Sequence, residues 1–234
     1  MKPTSILQAL PDGRTQVRFD GLDLVFADLV GSAALEHIAN GLLCDTYGLM
    51  QIEFSPGDVV VDVGAHVGVV SSYLARRHPG LHVLALEPHP DIFRCLKQNL
   101  LENGAELVDA FNSGVSADAR DLDLFLEPAN SGATSAFKPS SPHSGASRSS
   151  SVQLASFLGE RRIRRCRMLK VDCEGMEYEI LRAPEALATV DYLSVELHFG
   201  TRLNRSLEDA QELLRDCQRW LSPSRVHASF CDVG

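Results

Sequence analysis

The chain has 234 residues, of which 44% are hydrophobic and 23% are charged, and its formal net charge is −9. This length and composition are ordinary for one globular domain with a substantial core. The negative charge argues against DNA or RNA as the main partner, because nucleic-acid sites carry basic patches.

Three further features bear on the compartment. The sequence contains no uninterrupted apolar run of about 18 residues, so we expect no membrane span. Residues 1–10 contain one lysine and no long apolar core, so we expect no secretory signal. The six cysteines include no Cys-x-x-Cys pair, which disfavours a zinc ribbon or a thioredoxin-type site. Scattered thiols suit a reducing compartment, and we therefore expect a cytoplasmic protein.

Residues 1–57 are predicted to form an N-terminal cap that belongs to the same domain. Residues 15–26 alternate around Asp20-Gly21, a pair typical of a hairpin turn. Residues 32–43 have apolar positions at helical spacing. The sequence therefore predicts a hairpin followed by a helix, before the core begins at residue 58.

The core opens with a strand, a glycine turn and a helix. Residues 59–68 read Val-Val-Val-Asp-Val-Gly-Ala-His-Val-Gly. The apolar run 59–63 predicts a strand buried on both faces, and the amphipathic segment 67–76 predicts a helix. Gly64 and Gly68 would allow a tight turn and a close approach of the backbone to a ligand. This arrangement is typical of a nucleotide-type site at the carboxyl end of a strand.

The glycine spacing decides which nucleotide the turn would suit. Aligned from Gly64, a dinucleotide fingerprint would need glycine at His66 and Val69, and no Gly-Lys-Ser/Thr follows for a phosphate-binding loop. The remaining pattern is Asp-x-Gly-x-x-x-Gly, and it begins at Asp62. It resembles the first motif of class I S-adenosylmethionine (SAM) methyltransferases. In such a site Asp62 can face the cationic amino group of the methionine half of the ligand.

A second acid supports the same interpretation. Residues 82–86 predict a strand that ends in Glu87-Pro88, and Glu87 is placed to accept hydrogen bonds from both ribose hydroxyls. Taken singly, Asp62 could be a helix cap and Glu87 a surface charge. Two acids at matching strand ends around the glycine pair favour the ligand interpretation.

The rest of the chain alternates strands and helices. Residue 206 is predicted to start the last helix, with Asp209 in the capping-box position and Leu207, Ala210 and Leu213 inward. We expect residues 122–126 to form an antiparallel addition. The other predicted elements are a helix at 90–104 and strands at 106–111, 168–171, 192–197 and 225–230.

Residues 129–151 are rich in serine and poor in large apolar groups. Such a segment cannot bury enough surface to offset its ordering entropy, so we expect a mobile loop. It is either an insertion without a role or a lid that orders over SAM and substrate.

A motif in the second half of the chain points to one family. Residues 169–181 read Leu-Lys-Val-Asp-Cys-Glu-Gly-Met-Glu-Tyr-Glu-Ile-Leu, which resembles the Lys-Ile-Asp-x-Glu-Gly-x-Glu hallmark of the FkbM-type methyltransferases. Residues 60–68, 86–91 and 112–116 resemble the same family. The resemblance implies an α/β, Rossmann-like class I methyltransferase fold with a mostly parallel sheet of six to seven strands, helices on both faces and the N-terminal cap. The implied SAM-binding residues are Asp62, Gly64, Ala65, His66, Gly68, Glu87, Pro88, Asn112 and Ser113.

Two residues depart from the family pattern. His66 stands where the family usually has Asn, and Ala155 stands where it commonly has Asp. These departures keep open a non-catalytic interpretation, in which the chain is a SAM-binding relic.

Catalytic candidates also fall at predicted strand ends, where function concentrates in an open α/β sheet. They are Asp172, Glu174 and His198. His198 has an ordinary pKa of about 6.5, which suits a general base. Asp172 could instead be the base, or could orient an imidazolium. Asp172, Glu174 and Glu196 are also candidate ligands of a hard divalent cation, although Glu174 and Glu177 could simply decorate a helix start.

The resemblance implies O-methylation of a hydroxyl on a small molecule or sugar, with S-adenosyl-L-homocysteine as the second product. N-methylation by the same fold stays open, whereas His66 and Val69 oppose an NAD-dependent enzyme. The expected partner is a small-molecule or glycan acceptor, with neither nucleic acid nor membrane. The oligomeric state stays open.

Overall fold

A computed structural model describes residues 6–138 and 146–234. Within these ranges the strands are β1 (Ile6–Ala9), β2 (Thr15–Phe19), β3 (Leu22–Phe26), β4 (Val59–Val63), β5 (His82–Leu86), β6 (Val108–Phe111), β7 (Gly114–Val115), β8 (Leu122–Phe125), β9 (Ala146–Ser149), β10 (Ser151–Val152), β11 (Cys166–Val171), β12 (Val190–Phe199) and β13 (Val226–Asp232). The α-helices are α1 (Ala34–Leu43), α2 (Val69–Arg77), α3 (Pro90–Glu102), α4 (Leu154–Glu160), α5 (Glu177–Leu181), α6 (Pro184–Leu187) and α7 (Leu207–Trp220).

Six strands form a parallel central sheet in the order β13-β12-β11-β4-β5-β6. The strand order reverses between β4 and β11, and ligands bind at such a switch point in open α/β sheets, beyond the carboxyl ends of the strands. The prediction of a mostly parallel sheet of six to seven strands is therefore confirmed. β12 is longer than predicted and contains His198 within the strand.

Both faces of the sheet are covered, as a parallel sheet requires. Successive side chains of β4 point to opposite faces: Val60 packs in the cluster that contains α2 and the cap, and Val61 in the cluster that contains α5 and α7. Among the described residues, no helix is long and apolar enough to cross a membrane.

Helix α7 begins as predicted, because Ser206 and Asp209 form a complete capping box. The prediction that Leu207 points inward is wrong, since this residue is 43% exposed. It lies in the first turn, outside the stripe of Ala210, Leu213 and Cys217 that faces the core.

The N-terminal cap consists of the antiparallel sheet β1-β2-β3 and helix α1. The predicted hairpin is confirmed, with Asp20 at φ 49° and Gly21 at φ 78°, as a two-residue turn of this kind needs. Strand β1 has no counterpart in the sequence analysis. Asn103, the residue that caps the end of α3, pairs with both the N–H and the C=O of Val25 at 2.8 Å, so the end of a core helix holds the edge of β3. The domain division at residue 57 stays a prediction.

The described part of the serine-rich segment contains short regular elements, and its predicted mobility stays a prediction. Residues Ser131–Ala133 form a 3₁₀ turn, β9 pairs antiparallel with β8, and β10 pairs parallel with β7. Strand β8 is therefore antiparallel, as expected, but in a small separate sheet. Serine hydroxyls bind the segment to distant residues: Ser131 donates to Asp28 at 2.9 Å and Ser135 to the carbonyl of Glu174 at 2.7 Å. Ala136 and Phe137 also pack against the core. Residues 139–145 lie outside the described part of the chain.

Candidate active site

Two cavities open at the carboxyl ends of the central strands. The inner cavity is lined by residues that include Glu87, Pro88, Ser113, Leu122 and Thr134. The cap-side cavity lies against α1, and its lining includes Tyr47, Ala65, Lys170, Glu196 and His198. The residues that line both cavities are Gly64, His66, Gly132, Asp172 and Glu174.

Glu87 is the acid of the inner cavity, and it is 5% exposed. Its Oε2 accepts the backbone N–H of His66 at 3.0 Å, and its Oε1 accepts that of His89 at 2.8 Å. Burial raises the pKa of Glu87 to about 7, although these two hydrogen bonds oppose the shift. Each carboxylate oxygen has lone pairs left for a ligand. Glu87 is therefore held rigidly at the place predicted for the ribose.

His66 stands between the two cavities, and its backbone has a left-handed φ of 50°. Its ring Nε2 lies 2.7 Å from Ser131 Oγ, so the departure from Asn ties the turn to the serine-rich segment. Burial lowers the pKa of His66 to about 4, which makes the ring neutral at physiological pH. Its buried Nδ1 has no hydrogen-bond partner among the described residues. Such an atom in a cavity wall is suited to a ligand.

Gly64 and Gly68 are required mainly because neighbouring protein atoms leave no space for a Cβ at either position. A Cβ on Gly64 would lie 1.8 Å from the carbonyl oxygen of Asp172, and Gly64 has φ +78°. A Cβ on Gly68 would lie 2.5 Å from Leu96 Cδ1. Gly64 thus lets the chain after β11 pass close to β4 and also lines both cavities, whereas Gly68 starts α2 outside them.

Two predicted ligand contacts lie elsewhere. Asp62 is fully buried and lines neither cavity, contrary to the sequence analysis. It is the cross-strand neighbour of Lys170, whose Nζ lies 3.0 Å from Asp62 Oδ1, and Ser71 donates to its other oxygen at 2.6 Å. Asn112 is exposed, and its amide donates to the carbonyls of Glu87 and Pro88, so it supports the cavity wall from outside.

His198 lies at the base of the cap-side cavity and is 1% exposed. Its Nδ1 is 3.0 Å from Glu177 Oε1, and its Nε2 is 3.4 Å from Glu174 Oε1. Burial lowers the pKa of His198, but the charge of Glu177 and the neighbouring hydrogen bonds outweigh it and raise the pKa well above its usual value. Carboxylates face both ring nitrogens, and this arrangement favours the imidazolium form of the ring. The role of His198 as a general base stays a prediction.

Glu177 was not identified from the sequence as part of the site, because an acid at a helix start is common. It is 0% exposed, and it accepts the backbone N–H groups of Cys173 and Gly175 at 2.9 Å in addition to facing His198. A signal was present: Glu177 is the last acid of the family motif and lies between Met176 and Tyr178, both of which are buried. Such an acid needs partners.

Lys170 is the second residue to which the sequence analysis gave no role, although it opens the family motif. Its ammonium lies 3.6 Å from Asp172 Oδ2 and donates to the carbonyl of Gly64 at 3.2 Å, in addition to pairing with Asp62. Burial lowers the pKa of Lys170, but the two carboxylates raise it above its usual value. A buried, charged lysine therefore connects Asp62 to Asp172 and orients the carboxylate that stands at the junction of the cavities.

The predicted catalytic residues Asp172, Glu174 and His198 come together. One ligand-type atom from each lies within 4.8 Å of the others. Glu196, the third candidate cation ligand, has Oε2 3.9 Å from His198 Nε2. Ala155 lies in α4 and lines neither cavity, so its departure from the family pattern does not change either wall.

Comparison with known proteins gives the family. The Methyltransferase FkbM domain matches residues 62–220, more than half of the chain. The chain belongs to the FkbM methyltransferase family. A curated relative, "Methyltransferase 1" from Beauveria bassiana (strain ARSEF 2860), is 27% identical over 164 residues, which are 62% of this chain and 66% of that protein. The "31-O-demethyl-FK506 methyltransferase FkbM" of Streptomyces tacrolimicus is 42% identical over 52 residues, 22% of this chain and 20% of that protein.

This FkbM-family chain therefore matches less than two-thirds of the length of these relatives. Among solved structures, precorrin-6y C5,15-methyltransferase from Geobacter metallireducens GS-15 is similar, with a TM-score of 0.47 and 16% identity over 82% of this chain and 76% of that one. The expected family is confirmed by the domain match, and the expected fold by the parallel sheet and its switch point.

The residues at the switch point fit SAM, the cofactor that the family implies. Apolar side chains such as Leu122 and Leu124 line the inner cavity and suit an adenine ring, while Glu87 suits the ribose hydroxyls. Glu174, which lines both cavities, offers negative charge to the cationic methionine half. The unpartnered Nδ1 of His66 is one buried polar group that such a ligand would satisfy.

Proposed function

We propose that this chain transfers a methyl group from SAM to a hydroxyl oxygen of a small molecule or sugar. One observation carries the proposal: Asp172 and Glu174 line both cavities at once. Two carboxylates then stand between the place for SAM and the place for the acceptor. When bound, SAM supplies a methyl group on a positively charged sulfur, and the residues of the chain have to position and deprotonate the acceptor.

The carboxylates at the junction are the groups that would receive the hydroxyl proton. Asp172 is oriented by Lys170 at 3.6 Å, and Glu174 is held by His198 at 3.4 Å and by its own left-handed φ of 55°. His198 acts as a positioning cation because carboxylates face both of its nitrogens. Fixed geometry of this kind supplies much of the rate in a displacement reaction.

The cap-side cavity indicates a polar acceptor. Its walls carry hydrogen-bonding side chains from α1 and from the central strands, and few large apolar ones. The polar lining residues include His37, Asn40, Thr46, Tyr47, Lys170 and Glu196. A lining that offers both donors and acceptors suits a polyhydroxylated molecule such as a sugar. The Streptomyces tacrolimicus relative is named as a 31-O-demethyl-FK506 methyltransferase, and this name supports oxygen as the acceptor atom.

An amine acceptor is the second candidate, because Asp172, Glu174 and Glu196 would attract a cationic group to the cap-side cavity. The proposal also includes a cytoplasmic location, since all six cysteines are unpaired in the structure.

The test is methyl transfer from SAM with a deuterated methyl group to two panels of acceptors, one of sugars and polyols and one of amines, read by mass spectrometry. We expect transfer to hydroxyls, and we expect Asp172→Asn to lower turnover by about 10²- to 10⁴-fold, the range for general-base catalysis. Binding of S-adenosylhomocysteine by Asp172→Asn should stay near wild type. Transfer to amines alone would contradict the hydroxyl proposal, and binding without transfer to either panel would favour a relic.

A further inference from the structure

We propose that Asp172, Glu174 and His198 form a binding site for one divalent cation at the junction of the two cavities. The three side chains come from different parts of the fold: Asp172 and Glu174 follow β11, and His198 lies in β12. Asp172 Oδ, Glu174 Oε and a ring nitrogen of His198 all lie within 4.8 Å of one another. A metal binds the lone pair of a neutral ring nitrogen, so an ion at this site would displace the proton that Nε2 holds towards Glu174 in the ion-free form. Two oxygens and one nitrogen on one side of a cavity would leave further coordination positions open.

The spacing of these atoms suits a cation of ordinary size. Protein oxygens bind Mg²⁺ at about 2.0–2.1 Å and Ca²⁺ at about 2.3–2.6 Å. Two ligands of one ion are therefore separated by at most about 4–5 Å, twice the bond length. The observed 4.8 Å needs only side-chain adjustment. Carboxylate ligands suit Mg²⁺ and Mn²⁺. Of these two ions Mn²⁺ is the softer and accepts an imidazole ligand more readily, so we take Mn²⁺ as the probe.

The orientation of the His198 ring is the second observation. Its Nδ1 faces the fully buried Glu177 at 3.0 Å, which leaves Nε2 on the side of Glu174 at 3.4 Å. Histidines that bind metals almost always give their other nitrogen to a carboxylate or carbonyl, which fixes the tautomer and the ring plane. Glu177 is itself fixed by the backbone N–H groups of Cys173 and Gly175, so the ring is held before any ion arrives.

The local charge also favours a cation. The carboxylates of Asp62, Asp172, Glu174, Glu177 and Glu196 each lie within 3.9 Å of Lys170 or His198. Five acids thus surround two cationic side chains in a buried region. The ammonium of Lys170 lies closer to Asp62, at 3.0 Å, than to Asp172, at 3.6 Å, so it leaves Asp172 available as a ligand.

The consequence for the acceptor rests on the proposed function. Asp172 and Glu174 line both cavities, so an ion bound to them could be reached by oxygens of a molecule in the cap-side cavity. A cation lowers the pKa of a hydroxyl that binds it and orients that hydroxyl. The favoured acceptors are then molecules with two adjacent oxygens, such as vicinal diols or hydroxyketones, which bind a metal with both.

Cation binding is tested by titrating the full chain with Mn²⁺ and following the loss of the electron paramagnetic resonance signal of free Mn²⁺. Neither SAM nor acceptor is present, so failure to bind Mn²⁺ and failure to transfer methyl groups are separate results. We expect saturation at one equivalent and displacement by Mg²⁺. Asp172→Asn and Glu174→Gln should each weaken binding by more than about tenfold. The matched control is Glu179→Gln, which neutralises a nearby acid in helix α5 that pairs with Arg120 on the surface.

Melting temperatures show whether each variant is folded. A crystal of the wild-type chain soaked in Mn²⁺ gives a readout that needs no variant, because anomalous scattering locates the ion. Mn²⁺ bound between Asp172, Glu174 and His198 supports the site. No saturable binding, binding elsewhere in the crystal, or wild-type affinity in both folded variants overturns it.

Discussion

Glu177→Gln is the substitution whose effect follows most directly from the structure. Glu177 is 0% exposed, and its two oxygens accept from Cys173 N–H, Gly175 N–H and the ring of His198. Glutamine has nearly the same shape but keeps only one acceptor oxygen, and its amide nitrogen carries hydrogens. That nitrogen must point at one of the three donors, so at least one buried donor loses its partner.

The expected loss of stability can be estimated from these contacts. A buried donor without a partner costs about 1–3 kcal/mol, and a hydrogen bond to a charged group contributes about 1.5–3 kcal/mol. The free energy of unfolding should therefore fall by about 2–5 kcal/mol. For a chain of 150–250 residues, each kcal/mol shifts the melting temperature by about 2–4 °C. The melting temperature of Glu177→Gln should fall by roughly 4–20 °C.

The assay is thermal and urea unfolding of the wild type, Glu177→Gln and Glu179→Gln. Glu179 lies two positions along the same helix, but its side chain is 31% exposed and pairs with Arg120. Surface ion pairs contribute about 0–1 kcal/mol, so this control should shift the melting temperature by less than about 4 °C. Equal shifts for the two variants would refute the account of Glu177 as a buried anchor of His198.

Further outcomes follow from other contacts. Gly64→Ala should prevent folding or abolish ligand binding, because its Cβ would lie 1.8 Å from the Asp172 carbonyl oxygen. The control is Gly159→Ala, which has open space around it and should change the free energy of unfolding in urea by at most about 1 kcal/mol. Because the pKa of His198 is raised in the folded state, its protonation contributes stability in full below about pH 6.5, and this contribution is lost as the pH rises through the folded-state pKa. The free energy of unfolding of the wild type should therefore fall above about pH 6.5, and it should fall more steeply than that of Glu177→Gln. Ser131→Ala should weaken the binding of S-adenosylhomocysteine measured by calorimetry, because it removes the hydroxyl that lies 2.7 Å from His66 Nε2. An unchanged affinity would show that the serine-rich segment does not contribute to the binding site.

Regular elements were largely predictable from the sequence. Strands β4 and β5 are continuous apolar runs of the kind that parallel sheets bury on both faces, and they were predicted at the residues where they occur. The hairpin at Asp20-Gly21 and the capping box at Ser206 are local signals that need no tertiary information. The junction residues Asp172 and Glu174 were also predictable, because strand ends converge at a switch point.

The errors share a physical cause, since side-chain direction and long-range partners cannot be read from spacing. Asp62 was expected to face a ligand, but its cross-strand neighbour Lys170 is 108 positions away in sequence and holds it in the interior. The contacts of the serine-rich segment were missed because its serines bond to residues distant in the chain, such as Asp28 and Glu174. The raised pKa of His198 was missed because its partner Glu177 could not be identified from spacing.

The central claim is that SAM lies in the inner cavity against Glu87 and that the acceptor lies in the cap-side cavity. The most direct test is calorimetric titration of S-adenosylhomocysteine into the wild type, Glu87→Gln and Glu196→Gln, with the melting temperature of each protein measured alongside. Glu87 lines the inner cavity and Glu196 the cap-side cavity. We predict that Glu87→Gln loses at least about tenfold in affinity, or about 1.4 kcal/mol, while Glu196→Gln binds like the wild type. Wild-type affinity in a folded Glu87→Gln, or a large loss in Glu196→Gln alone, would contradict the account.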